Sequence, residues 1–263
     1  MNHDNLFNNP DYRYYLEIGD GRVEAFVTDY RHEWELFTGF DCELLGLLDQ
    51  FFSRPELSPQ RDYFEVIQKL GAITHRQFRN GFFLMMRHQS YDGFYLVRRS
   101  AEASVNAFRI FKNHDLIAIY LAVGKEVGKL RKSKAWQDYN SAFITAPWPK
   151  DLPSSDSIQE FKDLINENFS HPSRMFIVYS IDDSEGRSDF LYFDKQDDRL
   201  LLNLYYFLAL YHLAIQIWRE ILAHCLSIAM QAPNSQWEQL NRKYQDYRNS
   251  MQTLLVKYAT TQP

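Results

Sequence analysis

Six polar side chains, Tyr95, Arg99, Glu102, Asn106, Arg109 and Asn113, recur along a segment whose other positions are mostly apolar or small. Spacings of three, four and seven put such residues on one face of a helix. The chemistry open to this stripe is anion recognition. Arg99 and Arg109 offer guanidinium forks that match carboxylate and phosphate, and Glu102 can orient one of them. The same side chains can also satisfy one another, because Arg98, Arg99 and Asn106 all stand three or four positions from Glu102. Local pairing is the plainer reading; a polar recess that takes an anionic ligand or a protein partner is the functional one.

A second chemistry is suggested by Arg109 with His114 and by Arg219 with His224, each an arginine and a histidine separated by four residues. A helical Arg and His can stabilise and protonate groups at an RNA phosphate. Short patterns of this kind also arise by chance. The later pair is the better placed, because His212, Gln216 and Arg219 share one face of an otherwise apolar segment. The run Ser170-His171-Pro172-Ser173-Arg174 reads as a helix exit, its Pro fixing the chain and its Ser and His meeting loose helix-end groups. No GxSxG elbow supports a serine nucleophile. The acids from Asp182 to Asp198 are dense but do not follow a calcium loop, and no zinc, Walker or Rossmann pattern occurs. Neither a metal nor a cofactor is expected.

The elements that must carry these residues belong to a globular chain of 263 residues, 45% hydrophobic and 16% aromatic, with a net charge of −5. That balance disfavours general attraction to nucleic acid or anionic membranes. Lys125, Lys129, Arg131, Lys132 and Lys134, followed by Trp136 and Tyr139, form a local basic patch that reads as a solvated helix surface. Two distant cysteines, Cys42 and Cys225, and an opening without a charged n-region lead us to expect a cytoplasmic protein. Residues 200–218 are apolar enough to raise the question of a membrane span, but their flanks lack a basic bias. A buried central helix is expected, with no membrane partner.

Punctuation by Gly, Pro and Ser predicts helices near residues 29–52, 59–87, 93–112, 199–230 and beyond 235, with 114–123 and 125–143 as two further helices or one bent helix weakened at Gly124 and Gly128. Turns are expected at Gly19-Asp20-Gly21 and at Ser90 to Gly93, and a break at Gly39 or Asp41. The Pro-rich stretch 145–155 is a soft division within one domain spanning 1–263, and a helix follows it to about Asn168. Residues 175–181 and 188–193 alternate like strands around an acidic turn, which predicts a β-hairpin packed on helices. Trp237, Leu240, Tyr244, Tyr247, Met251, Leu254 and Tyr258 form a seam of three- and four-residue steps. Docking on the protein's own bundle is preferred to dimerisation for this aromatic seam, although self-association of the whole is expected. The fold class is mainly α, a bundle of about eight helices with one hairpin.

Leu96-Val97-Arg98-Arg99-Ser100-Ala101-Glu102-Ala103 with Asn106-Ala107-Phe108, and Phe169-Ser170-His171-Pro172-Ser173, resemble a group of bacterial all-helical proteins of unknown role, themselves remotely similar to the HEPN superfamily of helical bundles. The resemblance covers residues 90–225. It implies that Arg99, Glu102 and His171 approach one another, and that Arg219 and His224 occupy the place of the HEPN ribonuclease motif. The leading expectation is therefore a non-enzymatic interaction or ligand-binding module with Arg99, Glu102, Asn106, Arg109 and His171 at its site. The alternative is a metal-independent HEPN-type ribonuclease or RNA-binding protein that acts as a dimer through Arg219 and His224.

Overall fold

A computed structural model describes residues 10–52, 61–123, 133–153, 163, 181–182, 189–190, 200–229 and 235–261. Among the described residues the protein is mainly helical, a bundle built from α1 (Pro10–Asp29), α2 (Arg31–Phe52), α3 (Arg61–Met86), α4 (Ser90–Lys112), α5 (Leu116–Val123), α6 (Lys134–Tyr139), α7 (Leu200–Ala229) and α8 (Ser235–Thr261). A π-helical turn, Asn140–Ile144, extends α6. No described helix is long and apolar enough to cross a membrane. The apolar α7 instead buries Leu204, Phe207, Leu208, Ile215, Ile217, Trp218, Ile221 and Leu222 among its neighbours.

Aromatic side chains join the layers. Phe26 of α1, Trp34 and Phe37 of α2, Phe78 and Phe82 of α3, and Phe207 and Tyr211 of α7 form one cluster, with the Phe37 and Phe82 ring centres 4.4 Å apart and Phe37 and Tyr211 4.7 Å apart. Edge-to-face and tilted pairs of this kind add roughly 0.5–1.5 kcal/mol each beyond the area they bury. These rings are absorbed inside the bundle. The last helix follows suit: Leu240, Tyr244, Tyr247 and Met251 are buried, and the Tyr247 hydroxyl donates to the Leu208 carbonyl at 2.7 Å. The seam of α8 thus lies against its own chain.

Helices α3 and α4 pack closest, as an antiparallel pair. A Cβ added to Gly81 would stand 2.9 Å from the Gly93 carbonyl oxygen, and one added to Gly93 would stand 2.9 Å from that of Gly81. Neither position has room for a side chain. Further along, four buried polar groups meet. The Ser100 hydroxyl donates to the Thr74 carbonyl at 2.6 Å, and the Ser104 hydroxyl donates to the Ser100 carbonyl at 3.0 Å. Ser104 Oγ lies 3.2 Å from Thr74 Oγ1 and accepts the Trp218 indole N–H at 3.1 Å. One donor and two acceptor sites on the Ser104 hydroxyl account for all three contacts.

Three boundaries differ from expectation. Gly19-Asp20-Gly21 makes no turn but lies inside α1. Helical glycine costs about 1 kcal/mol relative to alanine, yet a Cβ at Gly19 would overlap the guanidinium of buried Arg87, which in turn reaches the Asp20 carboxylate at 3.3 Å. Ser90 to Gly93 form the first turn of α4, and the chain reverses earlier, at His88 (φ 56°). Gln89 N–H bonds to Leu84 O and His88 N–H to Met85 O, the closing pattern that usually uses glycine. No break occurs at Gly39 or Asp41, where α2 runs on. Of the segments expected over 114–123 and 125–143, α5 ends at Val123 and α6 starts at Lys134 after its Ser133 cap, with 124–132 outside the described residues.

Ile181 pairs antiparallel with Phe190, and Asp182 with Asp189. These two pairs, β1 (Ile181–Asp182) and β2 (Asp189–Phe190), fall short of the packed hairpin expected from the sequence, whose other positions lie outside the described residues. The Pro-rich stretch contributes Leu152 to the core, as the π turn contributes Phe143.

Candidate functional site

The polar stripe does form one line on α4, and its members have separate fates. At the N-terminal end, Arg99 donates to the Tyr95 hydroxyl at 2.8 Å and lies 4.7 Å above that ring, with both residues exposed. Among the described residues no carboxylate reaches Arg99. Glu102 pairs with Arg98 at 3.0 Å rather than with Arg99. Asn106 is half-buried, and Asn113 lies beyond the helix end, its Oδ1 accepting the Asp115 N–H at 3.1 Å.

Arg109 is the buried member. Its guanidinium donates to the carbonyls of Ala142 at 2.7 Å, Ala146 at 2.9 Å and Pro147 at 2.9 Å. Burial pulls its pKa below the ordinary arginine value. The π turn explains the arrangement, since a widened helical turn followed by prolines leaves carbonyls without helical donors. Arg109 therefore closes the Asn140–Ile144 segment onto α4. His171, the remaining residue of the expected site, lies outside the described residues, and with it the expected meeting with Arg99 and Glu102.

Arg219 and His224 leave α7 toward different neighbours, as five residues, about 140° of helical turn, require. Arg219 donates twice to Asn241 Oδ1, at 3.1 and 2.6 Å, and lies 3.9 Å above the Tyr244 ring of α8. His224 sits edge-on to Phe111 of α4, with ring centres 5.0 Å apart. His114 stacks on Tyr63 at 4.3 Å, so the earlier arginine and histidine are also apart in their contacts.

The shared face of His212, Gln216 and Arg219 is real and meets α8. The His212 ring stacks on Tyr244 and Tyr247, at 5.2 and 5.8 Å. Its Nε2 accepts from the Gln216 amide at 3.0 Å, which places the proton of the neutral ring on Nδ1, a buried atom without a hydrogen-bond partner. Burial, helped by the Arg248 and Arg219 charges, lowers the His212 pKa to about 4. An unfolded histidine titrates near 6.5. Between those values the unfolded chain binds the extra proton, so folding stability falls as pH drops from about 6.5 to about 4. We expect this contribution to be on the order of 2 kcal/mol after allowance for partial exposure. Urea unfolding of wild type and His212→Phe at a series of pH values checks it: the slope in this window should be shallower in the variant, and an identical slope would exclude His212 as its origin.

A further cluster was not anticipated from sequence. Asp41 of α2, 1% exposed, accepts His75 Nδ1 of α3 at 2.6 Å and the Tyr211 hydroxyl of α7 at 3.2 Å, and its second oxygen faces Arg79 at 3.5 Å. Burial and the neighbouring Asp41 carboxylate push the Tyr211 phenol well above its ordinary range, which keeps it a donor. A carboxylate on Nδ1 fixes the ring orientation and leaves Nε2 as the outward nitrogen. The only local signal was His75 and Arg79 four residues apart; their carboxylate comes from another helix.

Among the described residues, no group of three or more His, Cys, Asp or Glu is placed to hold a metal ion. Fold and side chains together define, among the described residues, a mainly helical bundle with a surface arginine strip on α4 and a carboxylate–imidazole pair between α2, α3 and α7. The chain matches no family model, no curated protein and no solved structure.

Proposed function

We propose that the protein is a non-enzymatic recognition module that presents Tyr95, Arg98, Arg99 and Glu102 of α4 to an acidic group of a partner. The observation that carries the reading is Arg99, exposed, laid over the Tyr95 ring and without a carboxylate among the described residues. Its neighbour Arg98 already has Glu102. A guanidinium resting on an aromatic face is oriented while keeping its charge, and an exposed contact of this sort is worth only about 0.5–1 kcal/mol, little enough to yield to a better ligand. Tyrosine and arginine are also the side chains that most often anchor interfaces. Arg109 has no part in this surface, because its donors serve the 142–147 carbonyls.

Fluorescence polarisation with a labelled glutamate-rich peptide as the probe tests the assignment. Binding should weaken about tenfold, roughly 1.4 kcal/mol, in Arg99→Ala, and should remain unchanged in Lys69→Ala, which alters the exposed Lys69–Glu65 pair of α3. Equal affinity of the Arg99→Ala protein and the wild type, or no binding of the peptide at all, would remove the proposal.

A further inference from the structure

The Asp41 cluster lies on other helices and stands apart from the α4 reading. We propose that His75 and Arg79 form a binding site for a phosphate oxyanion, one oxygen meeting Nε2 of His75 and another meeting the guanidinium of Arg79. The chemistry follows from how Asp41 holds His75 and leaves Arg79 beside it. At 1% exposure it fixes His75 from beneath and faces Arg79, while the His75 side chain is 13% exposed and that of Arg79 is 54% exposed. Because Nδ1 is taken by the carboxylate at 2.6 Å, Nε2 is the ring's open nitrogen, and among the described residues it has no hydrogen-bond partner. Arg79 touches Asp41 through one Nη at 3.5 Å, beyond good hydrogen-bond geometry, so its fork is not closed on that carboxylate.

His75 and Arg79 are four apart on α3 and therefore neighbours on one helical face. A ligand that fits both must offer an acidic or anionic oxygen to imidazole and a second acceptor oxygen to guanidinium. Phosphate does this in either protonation arrangement. The monoanion gives a P–OH to the Nε2 lone pair, and the dianion accepts from a protonated Nε2–H; the two differ only in which side of one hydrogen bond carries the proton. Tyr211 completes the support from α7 by donating to the Asp41 oxygen that also holds His75.

The experiment is a titration of protein carrying isotope-labelled histidine, followed by its ring-nitrogen resonances, with inorganic phosphate in one arm and phenyl phosphate in the other. We expect the His75 signals to move saturably with a Kd on the order of 1 mM or tighter in at least one arm. The arm with the tighter value distinguishes the free ion from a phosphomonoester, and either supports the site. Arg79→Gln, a change at an exposed position that leaves the fold intact, should weaken binding about tenfold; His75→Gln should abolish it, with thermal unfolding confirming that each variant is folded. Absence of a saturable His75 shift in both arms, or an affinity untouched by Arg79→Gln, would overturn the proposal.

Discussion

Arg109→Ala is expected to lower the unfolding free energy by about 4 kcal/mol, because hydrogen bonds from a charged donor are worth roughly 1.5–3 kcal/mol each and buried acceptors left unpaired add their own desolvation cost. The variant loses the donors for the Ala142, Ala146 and Pro147 carbonyls at once. Part of that loss returns when water enters near the exposed Pro147, which is why the three bonds are not simply summed. Arg109→Lys should recover only a minor part, since a compact ammonium lacks the planar fork that spans separate acceptors. Urea unfolding followed by far-ultraviolet circular dichroism measures both. A loss below about 1 kcal/mol in the alanine variant would show that the segment after α6 is held by something other than this arginine.

Asp41→Ala should cost about 3–5 kcal/mol, the range for removing one partner of a buried charged group. The Tyr211 hydroxyl, wholly enclosed, loses its acceptor, and the His75 ring loses the group that orients it. Asp41→Asn should cost less, because the amide keeps one acceptor oxygen. A double-mutant cycle with His75→Ala separates this pair from its surroundings, and we expect a coupling of about 1–2 kcal/mol. Additive losses in the cycle would mean that Asp41 and His75 act independently, contrary to their 2.6 Å contact.

Much of the bundle was legible because its helices repeat apolar residues at short intervals. The α8 seam is the clearest case: Leu240, Tyr244, Tyr247 and Met251 step by three and four, and all are buried. The α4 stripe was equally legible as a line, but not its partners. Arg109 finds its acceptors 33 to 38 positions along the chain, and Asp41 meets residues 34 and 170 positions away. Helical periodicity carries no information over such separations. Turns failed for a different reason. Gly19 and Gly93 looked like punctuation, whereas one makes room for the Arg87 side chain and the other for the backbone of Gly81. Meanwhile the actual reversal uses His88 in a left-handed conformation that a histidine does not announce.

At the contact between Gly81 and Gly93 main chain meets main chain, with only the Val97 and Met85 side chains packed beside it. The two glycines themselves have no rotamer to change, and exposing the amides of their flanking turns to solvent requires the two helices to separate together. These amides should exchange their hydrogens as slowly as global unfolding allows, whereas α5, without a fully buried side chain, should exchange long before. The protein's protection against solvent would then be graded outward from two residues that possess no side chain at all.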